Sequence, residues 1–424
     1  MLGILIVSFF ILLFAGVPIA FSMAIAGAGT ILAMPDLPNL IIAQKMFTAM
    51  DSFSLMAVPF FMMAGSIMAE TGITENIVKF ADSLVGHIKG GLGHTSILAG
   101  IMMAGVSGSA NADAAALGAM LVPSLKKSGY EEGFAVSMVA CAGALGPIIP
   151  PSIMMIIYSG VTGIPAGELF MGGILPGICL GLSYMILNAW YAKKHDLPAH
   201  KFPGFANVLK AFKGAIWALL MPFIIIGGVL TGVVTATEAG VIAVLYGIAY
   251  GLITRKLNFK KIWKCANEAA FSTAVTMVII AFASLVGYLM AREDFSAGVM
   301  NLITQFHLPA MVVLGLIVLL IFFLGMFIDS NAILLMIVPV VAPVLTALDF
   351  DPIHYAMVLI LALVLGGITP PVGLVLYIVS TVDNTPLEKS VKAVWPFVGA
   401  NLVVIVLLMF IPGIATFIPN LLGG

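Results

Sequence analysis

Charge is what this sequence has least of. Of 424 residues, 18 are Lys or Arg and 19 are Asp or Glu, or 9% of the chain. A soluble domain carries about 25%. With so few charges and a formal net charge of -1, no basic surface is available for a nucleic acid. A secreted or cytosolic globular protein is excluded as well, because 62% of the residues are hydrophobic and no soluble core hides that much. Cysteine is nearly absent. Cys141, Cys179 and Cys265 are the three, spaced for neither a disulfide framework nor a zinc site. Catalytic signatures are missing too: there is no H-E-x-x-H and no G-x-G-D. His87, His94, His307 and His354 fall near span ends and read as structural or interfacial. The N-terminal run MLGILIVSFFILLFAG lacks a basic flank and an A-x-A site. It reads as a retained span.

What is present is a series of long apolar runs, so the chain is a polytopic membrane protein. A helix needs about 20 apolar residues to cross a bilayer. Runs of this kind cover 2–16, 18–34, 53–70, 133–160, 168–191, 214–232, 235–254, 268–291, 352–381 and 394–418. Two further stretches, 92–125 and 309–347, carry polar clusters at their middles, SGSANAD and IDSNA. Each half of such a stretch is about 15 residues, or roughly 22 Å of helix, too short to cross. A re-entrant helical hairpin fits better. More than half of the 18 basic residues sit in two loops: Lys193, Lys194, Lys201, Lys210 and Lys213, then Arg255, Lys256, Lys260, Lys261 and Lys264. Both loops are therefore expected in the cytoplasm. Counting spans from them, hairpin 92–125 opens from the inside and hairpin 309–347 from the outside.

The sequence repeats itself after a shift of 220 residues. Asn111 meets Asn331, Gly146 meets Gly366, and Glu168 meets Glu388. Four prolines also match: Pro123 with Pro343, Pro150 with Pro370, Pro151 with Pro371, and Pro176 with Pro396. Chance gives about 0.2 such proline matches over this window. Two copies opening to opposite sides are the mark of an inverted-repeat secondary transporter.

Four elements can carry chemistry. Two are the hairpin tips, Ser107-Gly108-Ser109-Ala110-Asn111 and Asp329-Ser330-Asn331. Two are the breaks, Gly146-Pro147-Ile148-Ile149-Pro150-Pro151 and Gly366-Gly367-Ile368-Thr369-Pro370-Pro371. A Pro-Pro pair removes two N–H donors and unwinds the residues before it, freeing carbonyls that need a partner inside a bilayer. At a tip, one helix ends on free carbonyls and the next begins on free N–H groups. One tip can then hold a sodium ion on oxygen and face an anionic substrate with N–H groups. Hard oxygen donors suit an alkali cation. Asp113 and Asp329 are intramembrane carboxylates, costly and usually functional, whose plainer role is a helix cap. Glu238 in TATEAG reads as a cap, and Arg292 as a snorkelling side chain.

These motifs resemble a known family. GVPIAFSMAIAG, GGLGHT, SGSANADAAALGAMLVP, GPIIPPS, TGVVTATEAG, FLGMFIDSNAILLMIVPV and GGITPPVG are similar to the large membrane (M) subunit of tripartite ATP-independent periplasmic (TRAP) transporters, over essentially the whole chain. The resemblance implies an all-α, inverted-repeat elevator fold of the bacterial inner membrane. Scaffold helices and an amphipathic connector would occupy 1–91. A first transport-domain half would take 92–160, more scaffold 161–291, a second transport half 309–381, and a C-terminal scaffold helix 394–424. It implies coupling to Na⁺ at two sites. Ser107, Gly108, Ser109 and Asn111 with Gly146, Pro147 and Pro150 would form the first. Asp329, Ser330 and Asn331 with Gly366, Thr369 and Pro370 would form the second. Ser109 matches Asp329 and Ile149 matches Thr369, so the two sites are not equivalent. It also implies a small four-helix Q-type membrane subunit, a periplasmic substrate-binding protein, and a small carboxylate cargo such as sialic acid or a C4-dicarboxylate. No Q-like region precedes residue 1, so the small subunit is expected as a separate chain. Rival expectations are a free-standing sodium/dicarboxylate carrier of the same superfamily and an intramembrane aspartyl enzyme.

Overall fold

The computed structural model describes residues 1–199 and 201–422. Among them every regular element is a helix. Lipid enforces this, since an isolated helix satisfies its own backbone and an open sheet does not. The chain begins with α1 (Leu2–Phe14), α2 (Ile19–Leu32), α3 (Leu40–Met50), α4 (Ala57–Glu70) and α5 (Ile73–Val85). The first repeat follows: α6 (Gly91–Ser107), α7 (Ala110–Lys127), α8 (Glu132–Gly143), α9 (Ile153–Thr162) and α10 (Ala166–Lys194). Between the repeats lie α11 (Phe205–Leu230), α12 (Ala236–Ile253), α13 (Phe259–Arg292) and α14 (Phe295–Gln305). The second repeat comprises α15 (Ala310–Gly325), α16 (Ser330–Ala347), α17 (Pro352–Ile368), α18 (Leu374–Val382), α19 (Leu387–Ala393) and α20 (Trp395–Phe410). α21 (Gly413–Leu422) ends the described chain.

The repeat seen in sequence is a repeat of elements. Moved by 220 residues, α7 lies on α16 from first residue to last, and α9 and α18 finish at the same position. The hairpin arms are 16 to 18 residues long. They are joined by tips at 108–109 and 326–329, which turn the chain back. Both broken helices are present, with different gaps. α8 stops after 12 residues, whereas its counterpart α17 runs for 17. Pro147 stands where the second repeat has Gly367. A proline lacks an N–H and disfavours helix in the residue before it, so α8 unwinds early. Both Pro-Pro peptide bonds are cis.

The apolar runs divide into shorter helices than the spans read from sequence. Among the described residues, five helices can cross a membrane by length and composition: α10, α11, α12, α13 and α16. The second arm of hairpin 309–347 is therefore longer than the roughly 15 residues expected and is not too short to cross. The 53–70 run continues, after a 73° bend, into α5, an amphipathic arm. α14 holds the corresponding place before the second hairpin and was not anticipated from the sequence. The 394–418 run is two helices, because Ile411-Pro412 interrupts it between α20 and α21. α8 is buried from Gly133 to Gly143 and α17 from His354 to Gly367. These two helices form the centre against which the hairpins, α10 and α20 pack.

Local chemistry explains the boundaries. Thr235 and Glu238 form a reciprocal cap at the start of α12, with Thr235 N–H donating to Glu238 Oε2 at 2.8 Å. The expected cap role of Glu238 is thereby met. Arg292, at the end of α13, pairs with Asp36, which anchors its charge at the span end.

Candidate functional site

The first tip is built by Gly108 and Ser109. Gly108 has φ of 62°, and a Cβ there would fall 2.6 Å from the Pro151 carbonyl oxygen. Only glycine fits such a left-handed, closely approached position. Ser109 is the N-cap of α7, its Oγ accepting from Ala112 N–H. Ser109 N–H donates to Ser107 Oγ at 3.1 Å, and Ser107 Oγ donates to Asp113 Oδ1 at 2.6 Å. Asp113 is fully buried, and its Oδ2 has no hydrogen-bond partner among the described residues. The first break touches this tip directly. Ile153 N–H donates to the Gly108 carbonyl at 3.4 Å. A Cβ on Gly146 would stand 3.0 Å from Ser109 C and 3.1 Å from Asp113 Oδ2. Ser152 holds the break's shape, donating to the Pro147 carbonyl at 2.7 Å while capping α9.

The second tip uses other groups for the same task. Asp329 is the N-cap of α16, accepting from Asn331 N–H at 2.9 Å and Ala332 N–H at 3.4 Å. Its carboxylate thus faces the helix end that favours negative charge. Ser330 Oγ donates to the Leu363 carbonyl at 3.1 Å. Val372 N–H donates to the Met326 carbonyl at 3.1 Å, which ties this tip to its own break one and two residues away from the positions that match Ile153 and Gly108. Gly325 and Gly366 pack backbone to backbone, and a Cβ on Gly366 would lie 2.5 Å from Gly325 Cα. Thr369 is buried and donates back to the Leu365 carbonyl at 2.6 Å. Its lone pairs remain available to a cation.

Both tips and both breaks meet at one cavity of about 80 Å³. Gly108, Ser109, Asn111, Pro147, Asp329, Ser330 and Asn331 line it. Gly146, Pro150, Gly366, Thr369 and Pro370 are not in its wall; they shape the breaks behind it. Ser107 opens instead onto a second, larger cavity of about 580 Å³, which shares Met62, Ser109 and Ile153 with the first. This vestibule separates hairpin α6–α7 from α4, α5 and the first turns of α13, and it reaches Glu70 and Glu268. Lys261 and Lys264, expected in a loop but placed in the first turns of α13, bind Glu70 there, at 3.4 and 2.7 Å. The vestibule thus lies on the side of the chain that carries this basic segment. The small cavity has room for ions, and the vestibule for an organic acid.

Asp113 is the residue whose place the sequence left open. Its reading as a cap does not hold, because Ser109 caps α7 and Asp113 sits one turn further in. The available signal was a carboxylate beyond the cap position with no basic residue within one helical turn.

The family model described as "Tripartite ATP-independent periplasmic transporter, DctM component" matches residues 6–414. The chain belongs to this family. It is 35% identical to the sialic acid TRAP transporter large permease protein SiaM of Vibrio cholerae over 97% of each chain. It is 34% identical to the C4-dicarboxylate TRAP transporter large permease protein DctM of Pseudomonas aeruginosa, over 95% of this chain and 94% of that one. With the 2,3-diketo-L-gulonate TRAP transporter large permease protein YiaN of Escherichia coli it shares 35% identity over 94% of each. Among solved structures, the Alcanivorax borkumensis YdaH transporter superposes with a TM-score of 0.62 at 16% identity, over 84% of this chain and 85% of that one. That likeness speaks for the fold alone. This TRAP large permease is an inner-membrane, multi-pass transport protein and not an enzyme. The family is described as one component of a tripartite system.

Proposed function

We propose that this permease carries a small organic carboxylate into the cell in symport with two sodium ions. The observation that supports this most is the convergence of two tips and two breaks on one small cavity. Each sodium ion is held by a tip and a break of the same repeat. Ser109 and Asn111 serve the first with carbonyls near Pro147, and Asp329 and Asn331 the second with carbonyls near Gly366. Asp113 joins the first group through Ser107. A cation that organises a tip also fixes the N–H groups that face the substrate carboxylate. Sodium and substrate then raise each other's affinity by the same factor, as linkage requires.

The two hairpins and the two broken helices move as one body, 92–160 with 309–381, against a scaffold of 1–91, 161–291 and 394–424. The inward vestibule is the gap that such a sliding motion leaves on the cytoplasmic side. A small Q-type membrane subunit completes the scaffold, and a periplasmic binding protein delivers the cargo. The cargo is a carboxylate of the class named for the relatives, sialic acid, a C4-dicarboxylate or diketogulonate, and sialic acid is the first to try.

Proteoliposomes holding the permease and its membrane subunit, with binding protein outside, test this reading. Uptake is expected under an inward sodium gradient and not under a proton gradient alone. Uptake that follows the proton gradient and ignores sodium would refute it and would make Asp329 a proton carrier. A cysteine at Ala199 checks the orientation: an impermeant reagent should reach it only after the cells are opened.

A further inference from the structure

The two cavities meet at the start of α7. Ser109 lines both, Ala110 and Asn111 line the small one, and Ala112 and Asp113 line the vestibule. The second tip is placed otherwise: Asp329, Ser330 and Asn331 line the small cavity alone. The caps differ to match. Ser109 is a neutral cap that accepts from Ala112 N–H. The leading N–H groups of α7, on Ala110 and Asn111, have no acceptor in their own helix, and such groups hold carboxylates well. Asp329 is an anionic cap, and its carboxylate already takes Asn331 N–H at 2.9 Å and Ala332 N–H at 3.4 Å. The N-terminus of α16 is thus occupied by the chain's own carboxylate. Among the described residues no Lys, Arg or His lines either cavity. Lys261 and Lys264 are engaged by Glu70 outside the wall. The uncharged polar lining is amide and hydroxyl: Asn111 and Asn331 in the small cavity, and Ser66, Thr74 and Ser272 in the vestibule.

We propose that the site seats a single carboxylate, at the first turn of α7, and that the cargo is a monocarboxylate whose other polar groups are uncharged, of the hydroxylated sugar-acid kind, and not a dicarboxylate. This rests on the carboxylate-symport reading above and narrows it. The carboxylate accepts from Ala110 and Asn111 N–H. The body of the molecule lies in the vestibule, which only the first tip borders. Its hydroxyls exchange hydrogen bonds with the Ser, Thr and Asn side chains there. A second carboxylate would meet Asp329 in the small cavity or Asp113 in the vestibule. Charge balance points the same way. Two sodium ions offset Asp113 and Asp329 and leave nothing over for a second anionic group. Burying an uncompensated charge is costly.

Equilibrium binding to the permease with its membrane subunit in nanodiscs tests this. Binding protein is left out, because its own selectivity would intervene. The probes are labelled succinate and its monomethyl ester, which differ by one charge, and labelled sialic acid. In saturating sodium the ester should bind about 10- to 150-fold more tightly than succinate, the worth of one bond to a charged group. Sialic acid should bind at least as tightly as the ester. Asp329→Ser gives the second tip the neutral cap of the first and keeps α16 capped. It should cut the ester's advantage about threefold, the effect of one charge at a helix end. Asp329→Glu keeps the charge and should retain the advantage, and melting temperatures show that both variants fold. Equal affinity for succinate and the ester in the unaltered protein would overturn the single seat. So would an ester preference that Asp329→Ser leaves whole. The same affinities with choline in place of sodium, the ester still ahead, would keep the single seat and sink the sodium coupling instead.

Discussion

The two repeats share a backbone and differ in chemistry. α7 and α16 coincide residue for residue after the shift, and each tip is tied to its own break by one backbone hydrogen bond. Yet the first repeat caps its second arm with Ser109 and buries its carboxylate one turn further, at Asp113. The second caps with the carboxylate itself, Asp329, and has Ile333 where the first has Asp113. The breaks differ in the same way. Pro147 ends α8 early, whereas Gly367 lets α17 continue. Pro150 and Pro151 are buried, but Pro371 is exposed. The backbones agree along α7 and α16, and the mated glycines Gly146 and Gly366 each pack closely on their own hairpin. The polar groups differ between the tips, yet each tip has one carboxylate bonded to it. Two sodium sites of unequal affinity are the expected consequence.

The strongest test of this comparison is steric. Gly366→Ala places a Cβ 2.5 Å from Gly325 Cα and 2.9 Å from its carbonyl carbon, neither of which can move aside cheaply. Gly146→Ala, its mate, meets nothing nearer than 3.0 Å. Overpacking costs about 1–3 kcal/mol and sometimes more, so Gly366→Ala should lie at or beyond the upper end and Gly146→Ala near the lower. Melting in detergent, followed by the monodisperse fraction, decides the order. Equal losses would mean that the two breaks are equally tight.

The carboxylates come next. Asp113→Asn and Asp329→Asn each remove a charge while keeping shape, and an Asn can still cap α16. Each should weaken sodium by about 10- to 150-fold, from about 1.5–3 kcal/mol for a charged contact at 1.36 kcal/mol per decade. Sodium titration of uptake measures it. A weakened Asp329 variant beside an unaffected Asp113 variant would confine the carboxylate role to the second repeat.

Asn111→Ala and Asn331→Ala delete neutral donors and should weaken sodium less, by about 2- to 12-fold for about 0.5–1.5 kcal/mol. The same titration ranks them. Ser296→Ala, on α14 and outside both tips, should leave the sodium dependence where it was. A loss there would show that sodium affinity is set by the scaffold.

Much of this was legible in the sequence. A bilayer leaves few architectures open, so apolar runs broken by small polar clusters already gave hairpins and broken helices. The 220-residue shift located both tips and both breaks from matched prolines and asparagines. Three features were not legible. α14 is short and apolar, and resembles an extension of its neighbours. The pairing of Ser107 with Asp113 crosses the tip at a separation no helical period contains. The vestibule joins α4, α5, α7 and α13, and only the folded chain shows that Glu70, Glu268 and Asp113 share one wall.

The most direct measurement is the reversal potential of substrate flux in proteoliposomes at fixed sodium and substrate gradients. Two sodium ions with one monoanion move one net charge, worth about 2.3 kcal/mol per 100 mV. The potential at which net flux stops should then shift with the sodium gradient as a two-ion coupling demands. A reversal point that ignores the sodium gradient, or follows it as a single ion, would contradict one sodium ion in each repeat.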